Sequence, residues 1–83
     1  MTKHHHRFVE EYDGPVGFGF DRKMDECTLV YYLQKFSDDD LMNVMRERMS
    51  QADMETLFDL LSRLLKTCLA EEEYHQYFLK DER

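Results

Sequence analysis

Apolar residues change their spacing near Met24, and that change divides the chain into two kinds of pattern. Upstream, Phe8 and Tyr12 share one face of an extended strand, and Val16, Phe18 and Phe20 share one face of the next. This is the period of two that a pleated strand imposes. Asp13-Gly14 between the two runs is a turn signal, and Pro15 is tolerated as the first residue of an edge strand. The pattern predicts an N-terminal β-hairpin. The alternative is an extended, irregular arm that docks its aromatics on the helices, because Gly17 and Gly19 weaken a strand.

Downstream of Met24 there is no glycine or proline, and the apolar positions recur every three or four residues. A first helix is expected over 25–36, with Leu29, Leu33 and Phe36 on one face and Cys27, Val30 and Tyr31 beside it. Ser37-Asp38-Asp39-Asp40 has the form of an N-cap followed three residues later by a carboxylate. It opens a second helix over 38–49, in which Leu41, Met42, Met45 and Met49 face inward and Arg46 and Arg48 complement the C-terminal dipole end. Ser50-Gln51-Ala52-Asp53 repeats the cap. A third helix then carries Met54, Leu57, Phe58, Leu61, Leu64, Leu65 and Cys68. Ala70 and the glutamates Glu71–Glu73 interrupt this stripe, and acids suit a fresh helix N-terminus. An unbroken helix over 51–80 would be ~45 Å long, too long for so small a body to cover. A bend or break near Ala70 is therefore favoured over a continuous helix. The final segment carries Tyr74, Tyr77, Phe78 and Leu79. The fold class expected is mainly α: a three- to four-helix bundle (24–83) behind an N-terminal tail with a β-hairpin or extended arm (1–23).

Length limits this architecture. With 83 residues there is room for one domain, and a chain of that size is marginal without a staple. The two cysteines, Cys27 and Cys68, lie inside apolar helical runs and read as buried, reduced thiols, which implies a reducing, cytoplasmic setting. No apolar run spans a membrane, and none follows Lys3 and Arg7 to make a signal peptide. Charge narrows the partners. Residues 1–23 hold four bases and four acids, whereas residues 24–83 hold seven bases and fourteen acids, the whole of the net charge of −7. So acidic a helical body repels phosphate backbones and anionic lipid, which argues against nucleic acid and membrane as partners.

Candidate chemistry is sparse. On a continuous third helix, Met54, Phe58, Leu61, Leu65, Cys68, Glu72, His75 and Leu79 would be spaced alternately four and three apart, a heptad seam. Cys68, Glu72 and His75 would then place three metal-ligand types on one face, with Glu72 and His75 in the Glu-x-x-His spacing of dimetal helical bundles. A break at Ala70 dissolves the alignment, leaving an ordinary Glu–His surface pair and a cysteine acting as a small hydrophobe. At the N-terminus, Thr2-Lys3-His4 with a free amine has the donor set for square-planar Cu(II) or Ni(II), with His5 and His6 beside it. A histidine tail that binds metal adventitiously explains the same residues. The glycines at 14, 17 and 19 lack the Lys-Ser/Thr ending of a phosphate loop. Neither cysteine has a histidine placed to activate it, since Cys68 and His75 lie two helical turns apart. No cofactor is expected beyond a possible divalent transition metal at these positions.

Aromatics and methionines carry the remaining signal. Met42, Met45, Met49 and Met54 suit either core filling or an adaptable peptide groove. Tyr31, Tyr32, Tyr74 and Tyr77 are amphipathic surfaces at home in an interface or on a core boundary. The apolar area exceeds what three short helices and a hairpin bury, so Phe8, Tyr12, Phe18, Phe20, Tyr74, Tyr77 and Phe78 are the expected interface. The functional expectation is a non-enzymatic protein–protein interaction or regulatory module. It would work as a homodimer that lays the arm or terminal helix of each chain on its neighbour, or as a subunit bound to another protein. A metal-binding or metal-sensing helical protein is the alternative.

Overall fold

The computed structural model describes residues 6–81, in two compact units that divide between Arg48 and Met49. The protein is mainly helical, and the described residues contain no strand. The first unit holds α1 (Arg7–Glu11), α2 (Arg22–Phe36) and α3 (Asp39–Arg48). The second holds α4 (Gln51–Cys68) and α5 (Glu71–Glu73), which continues directly as a π-helical segment (Tyr74–Leu79).

The expected β-hairpin is replaced by a turn of helix and an irregular loop. Phe8 and Tyr12 are four residues apart, a spacing that puts them on one face of a strand and equally on one face of a helix. The helix is what forms, and the two rings stack with centroids 5.0 Å apart. Val9, on the opposite face of the strand reading, is the buried side chain, at 6% exposure. So short a helix cannot satisfy its own first amides. Gln34 of α2 supplies the acceptor, its Oε1 receiving the Val9 N–H at 2.9 Å.

The loop over 12–21 runs along α2 and is fastened by polar groups. Thr28, buried on α2, donates its hydroxyl to the Gly17 carbonyl at 2.8 Å and accepts the Gly17 N–H at 3.0 Å. Asp25 Oδ1 accepts the Gly19 N–H at 2.8 Å. Gly19 sits at φ +95°, where a Cβ would be strained, and this turn removes any continuous second strand. Tyr12 closes the loop by donating its hydroxyl to the Pro15 carbonyl at 2.6 Å and packing edge-on against Tyr31. Partial burial, and then the neighbouring Cys27, hold the Tyr12 phenol above its ordinary pKa. This is the arm alternative in altered form, docked by its backbone rather than by its phenylalanines.

Helix boundaries follow the capping chemistry. α2 starts three residues earlier than the apolar pattern places it, because Asp21 is its N-cap and accepts the Met24 N–H at 2.8 Å. Ser37 does not open α3. It closes α2 as the C-cap, its N–H reaching the Leu33 carbonyl and its hydroxyl the Gln34 carbonyl. The buried Asp38 precedes α3, which carries Asp39 and Asp40 in its first turn and Arg46 and Arg48 in its last. Ser50 caps α4 as its sequence indicates, accepting the Asp53 N–H at 3.1 Å.

The break near Ala70 is present. Leu69 and Ala70 are both extended, at φ −120°, ψ 139° and φ −70°, ψ 161°. No glycine or proline enforces this. Instead the Glu73 carboxylate accepts the Ala70 N–H at 2.8 Å, and three glutamates meet the positive end of a new helix. The π-helical segment ends at Lys80, which takes the left-handed conformation at φ 57° and donates its N–H to the His75 carbonyl.

Candidate functional site

The second unit presents an open apolar groove between the C-terminal half of α4 and the terminal helix. Phe58, Leu61, Leu65 and Cys68 supply one wall at the spacing of a helical seam, and Tyr74 and Phe78 supply the other. Tyr74 and Phe78 stack with centroids 5.3 Å apart, which fixes both rings as one slab. The break at Leu69–Ala70 lets Tyr74 and Phe78 line one groove with the residues of α4. The groove encloses about 530 Å³, within the size range of ordinary ligand and anchor pockets. No residue of α4, α5 or the π-helical segment is buried. Phe58 is 70% exposed, and Tyr77 stands outside the groove, also exposed.

A second apolar feature lies in the first unit. Phe18 and Phe20 project from the 12–21 loop with 68% and 76% of their surface exposed, and Val16 accompanies them. Of the seven aromatics expected at an interface, Phe8 and Tyr12 are half-buried inside the first unit, stacked on each other, with Tyr12 edge-on to Tyr31. Phe18 and Phe20 form an exposed pair, while Tyr74 and Phe78 line the groove.

The metal-ligand alignment is not formed. Cys68 ends α4, and Glu72 and His75 lie beyond the break, on a separate helix. His75 Nδ1 instead faces the Asp81 carboxylate at 3.0 Å, a partner the sequence reading did not identify. Among the described residues no group of three or more His, Cys, Asp or Glu side chains is placed to hold a metal ion. His4 and His5 lie outside the described residues. His6 is engaged with Ser37, Nε2 to Oγ at 2.9 Å. Cys68 is an exposed thiol in the groove wall rather than a buried one, and Cys27 is half-buried; neither is in a disulfide.

No family model, curated protein or solved structure matches the chain. Among the described residues no helix is long and apolar enough to cross a membrane.

Reading α4 as a core face found the groove wall but not its exposure. Leu57 and Leu65 are half-buried, whereas Phe58, Leu61 and Leu64 on the same stripe are exposed. Thr28 was also missed. A threonine at an inward position of α2, four residues after Met24, was the available signal that a polar partner faces it.

Proposed function

We propose that this protein is a small, non-enzymatic, cytoplasmic protein–protein interaction module that works as a homodimeric helical bundle. The observation that carries the reading is the open apolar groove of the second unit, walled by Phe58, Leu61, Leu65, Cys68, Tyr74 and Phe78. Apolar walls of this kind are costly to leave in water, at roughly 25 cal/mol for each Å² exposed. Among the described residues the only buried hydrophobic side chain is Val9, so little apolar burial offsets the entropy of ordering the chain. A second copy that covers the groove supplies the missing burial. Two free thiols agree with a reducing compartment.

If folding and association are coupled in this way, the melting temperature depends on protein concentration. Each tenfold increase in concentration should raise it by about 4 °C for a chain of this length. A melting temperature that stays constant from 1 to 100 micromolar, on the order of magnitude where such modules associate, would contradict the homodimer.

A further inference from the structure

We propose that the apolar groove of the second unit accepts a basic amphipathic helix of another protein, its apolar side chains in the groove and its lysines or arginines on the rim. This inference rests on reading the groove as a protein–protein interface, and it names a partner that competes there with the second copy. Shape supplies the first argument. The α4 side of the groove extends from Met54 to Cys68, ~21 Å at 1.5 Å per residue, about four turns of a docked helix. Phe58 lines both the main groove and a smaller opening beside Met54, so the apolar surface continues along that side. A helix laid in such a groove anchors through side chains three, four and seven residues apart.

The rim decides the partner's charge. Residues 49–83 hold eight acids and four bases. Glu55 and Asp59 line one end of the groove beside Met54 and Phe58. Glu71 lines the other end, with His75 and the cation Lys66. Glu72 and Asp81 line the opening that adjoins it. Asp81 is engaged with His75, and Glu55 meets the neutral Gln51 amide at 3.2 Å. The carboxylates of Asp59, Glu71 and Glu72 have neither an ion pair nor a hydrogen bond with another described residue, which leaves them open to a ligand's cations. A twofold dimer presents the same patch from both sides of its interface, so it doubles this acidic rim. A basic helix neutralises it instead, and like charges brought together favour the heterologous partner.

The test uses the full chain and a fluorescent peptide of about 15 leucines and lysines, its leucines at helical spacing. One control peptide has the same composition in an order without an apolar face, and another has glutamate in place of lysine. The wild type should bind the basic helix about tenfold more tightly than either control. Asp59→Asn with Glu71→Gln and Glu72→Gln should weaken binding about tenfold at low salt and little at high salt. Phe58→Ala with Leu61→Ala should weaken it about a hundredfold. A second readout needs no variant: on adding the basic peptide to the wild type, the NMR amide shifts should fall within residues 54–78. Equal binding of the lysine and glutamate peptides, or shifts centred on the first unit, overturns the inference and leaves the homodimer reading untouched. A wild-type dimer that stays unliganded at saturating peptide does the same. A wild type that is monomeric and still selects the basic helix supports the inference and contradicts the homodimer.

Discussion

The two units solve the problem of backbone satisfaction differently. In the first, a five-residue helix and a glycine-bearing loop leave amides that regular structure cannot pair. Side chains from α2 reach across 25 and 11 residues of sequence to meet them, Gln34 to Val9 and Thr28 to Gly17. In the second, the helices pair their own backbone, and the side-chain bonds are local, such as Ser50 to Asp53 and Glu73 to Ala70. The consequence appears in what is buried. The first unit buries Val9 together with the polar Thr28 and Asp38, whereas none of the described residues of the second is buried and they leave an apolar groove. Irregular chain spends its interior on polar partners. Self-satisfied helices leave their apolar faces available, and on this account that is where association occurs.

The sharpest way to break the comparison is Thr28→Val. The substitution preserves shape and removes both bonds to Gly17, leaving an N–H and a carbonyl without their partner. A loss of about 2 kcal/mol is expected in urea denaturation. An unchanged midpoint would mean that the loop is not held by polar clamps. Next in size is Ser50→Ala, which should cost about 1 kcal/mol because the α4 N-terminus loses its acceptor. Ser37→Ala should cost less than half of that, since Ser37 is an exposed C-cap whose backbone N–H bond survives the change. Equal losses at the two serines would contradict the capping roles assigned to them.

The smallest effect concerns an exposed pair on α2. The Arg22 guanidinium hydrogen-bonds Glu26 at 2.8 Å and holds its carboxyl below the usual glutamate range. A depressed carboxylate pKa stabilises the fold above the unfolded value, and that contribution is lost as pH falls through the folded value. The pair is solvent-exposed, so its effect on unfolding should lie within experimental error. The direction is still measurable. NMR titration should place Glu26 below an ordinary glutamate, and Arg22→Ala should return it upward. No change in Glu26 on that substitution would contradict the pairing.

These cases also show what the sequence could and could not reveal. Signals read from a single residue type at a helix end were dependable for α4, where Ser50 caps the start and the glutamates at 71–73 begin a new helix after the break. The same cap pattern misled at Ser37, because a serine between two helices can serve either one, and here it satisfies carbonyls of the helix behind it. The hairpin failed for a related reason. Phe8 and Tyr12, four apart, satisfy the helical and the extended period alike, so periodicity alone could not decide between them. The metal alignment depended on a single assumption, a continuous helix through Ala70, and fell with it. Contacts distant in sequence were invisible: no pattern pairs Gly17 with Thr28 or Val9 with Gln34. Apolar residues on α4 were recognised, but periodicity shows which face is apolar and not what covers it.

Sedimentation equilibrium of the wild-type chain at micromolar concentration tests the central claim most directly. The account predicts a species of twice the chain mass of 10.1 kDa that dissociates on dilution. A single species of 10.1 kDa across the whole concentration range would contradict it.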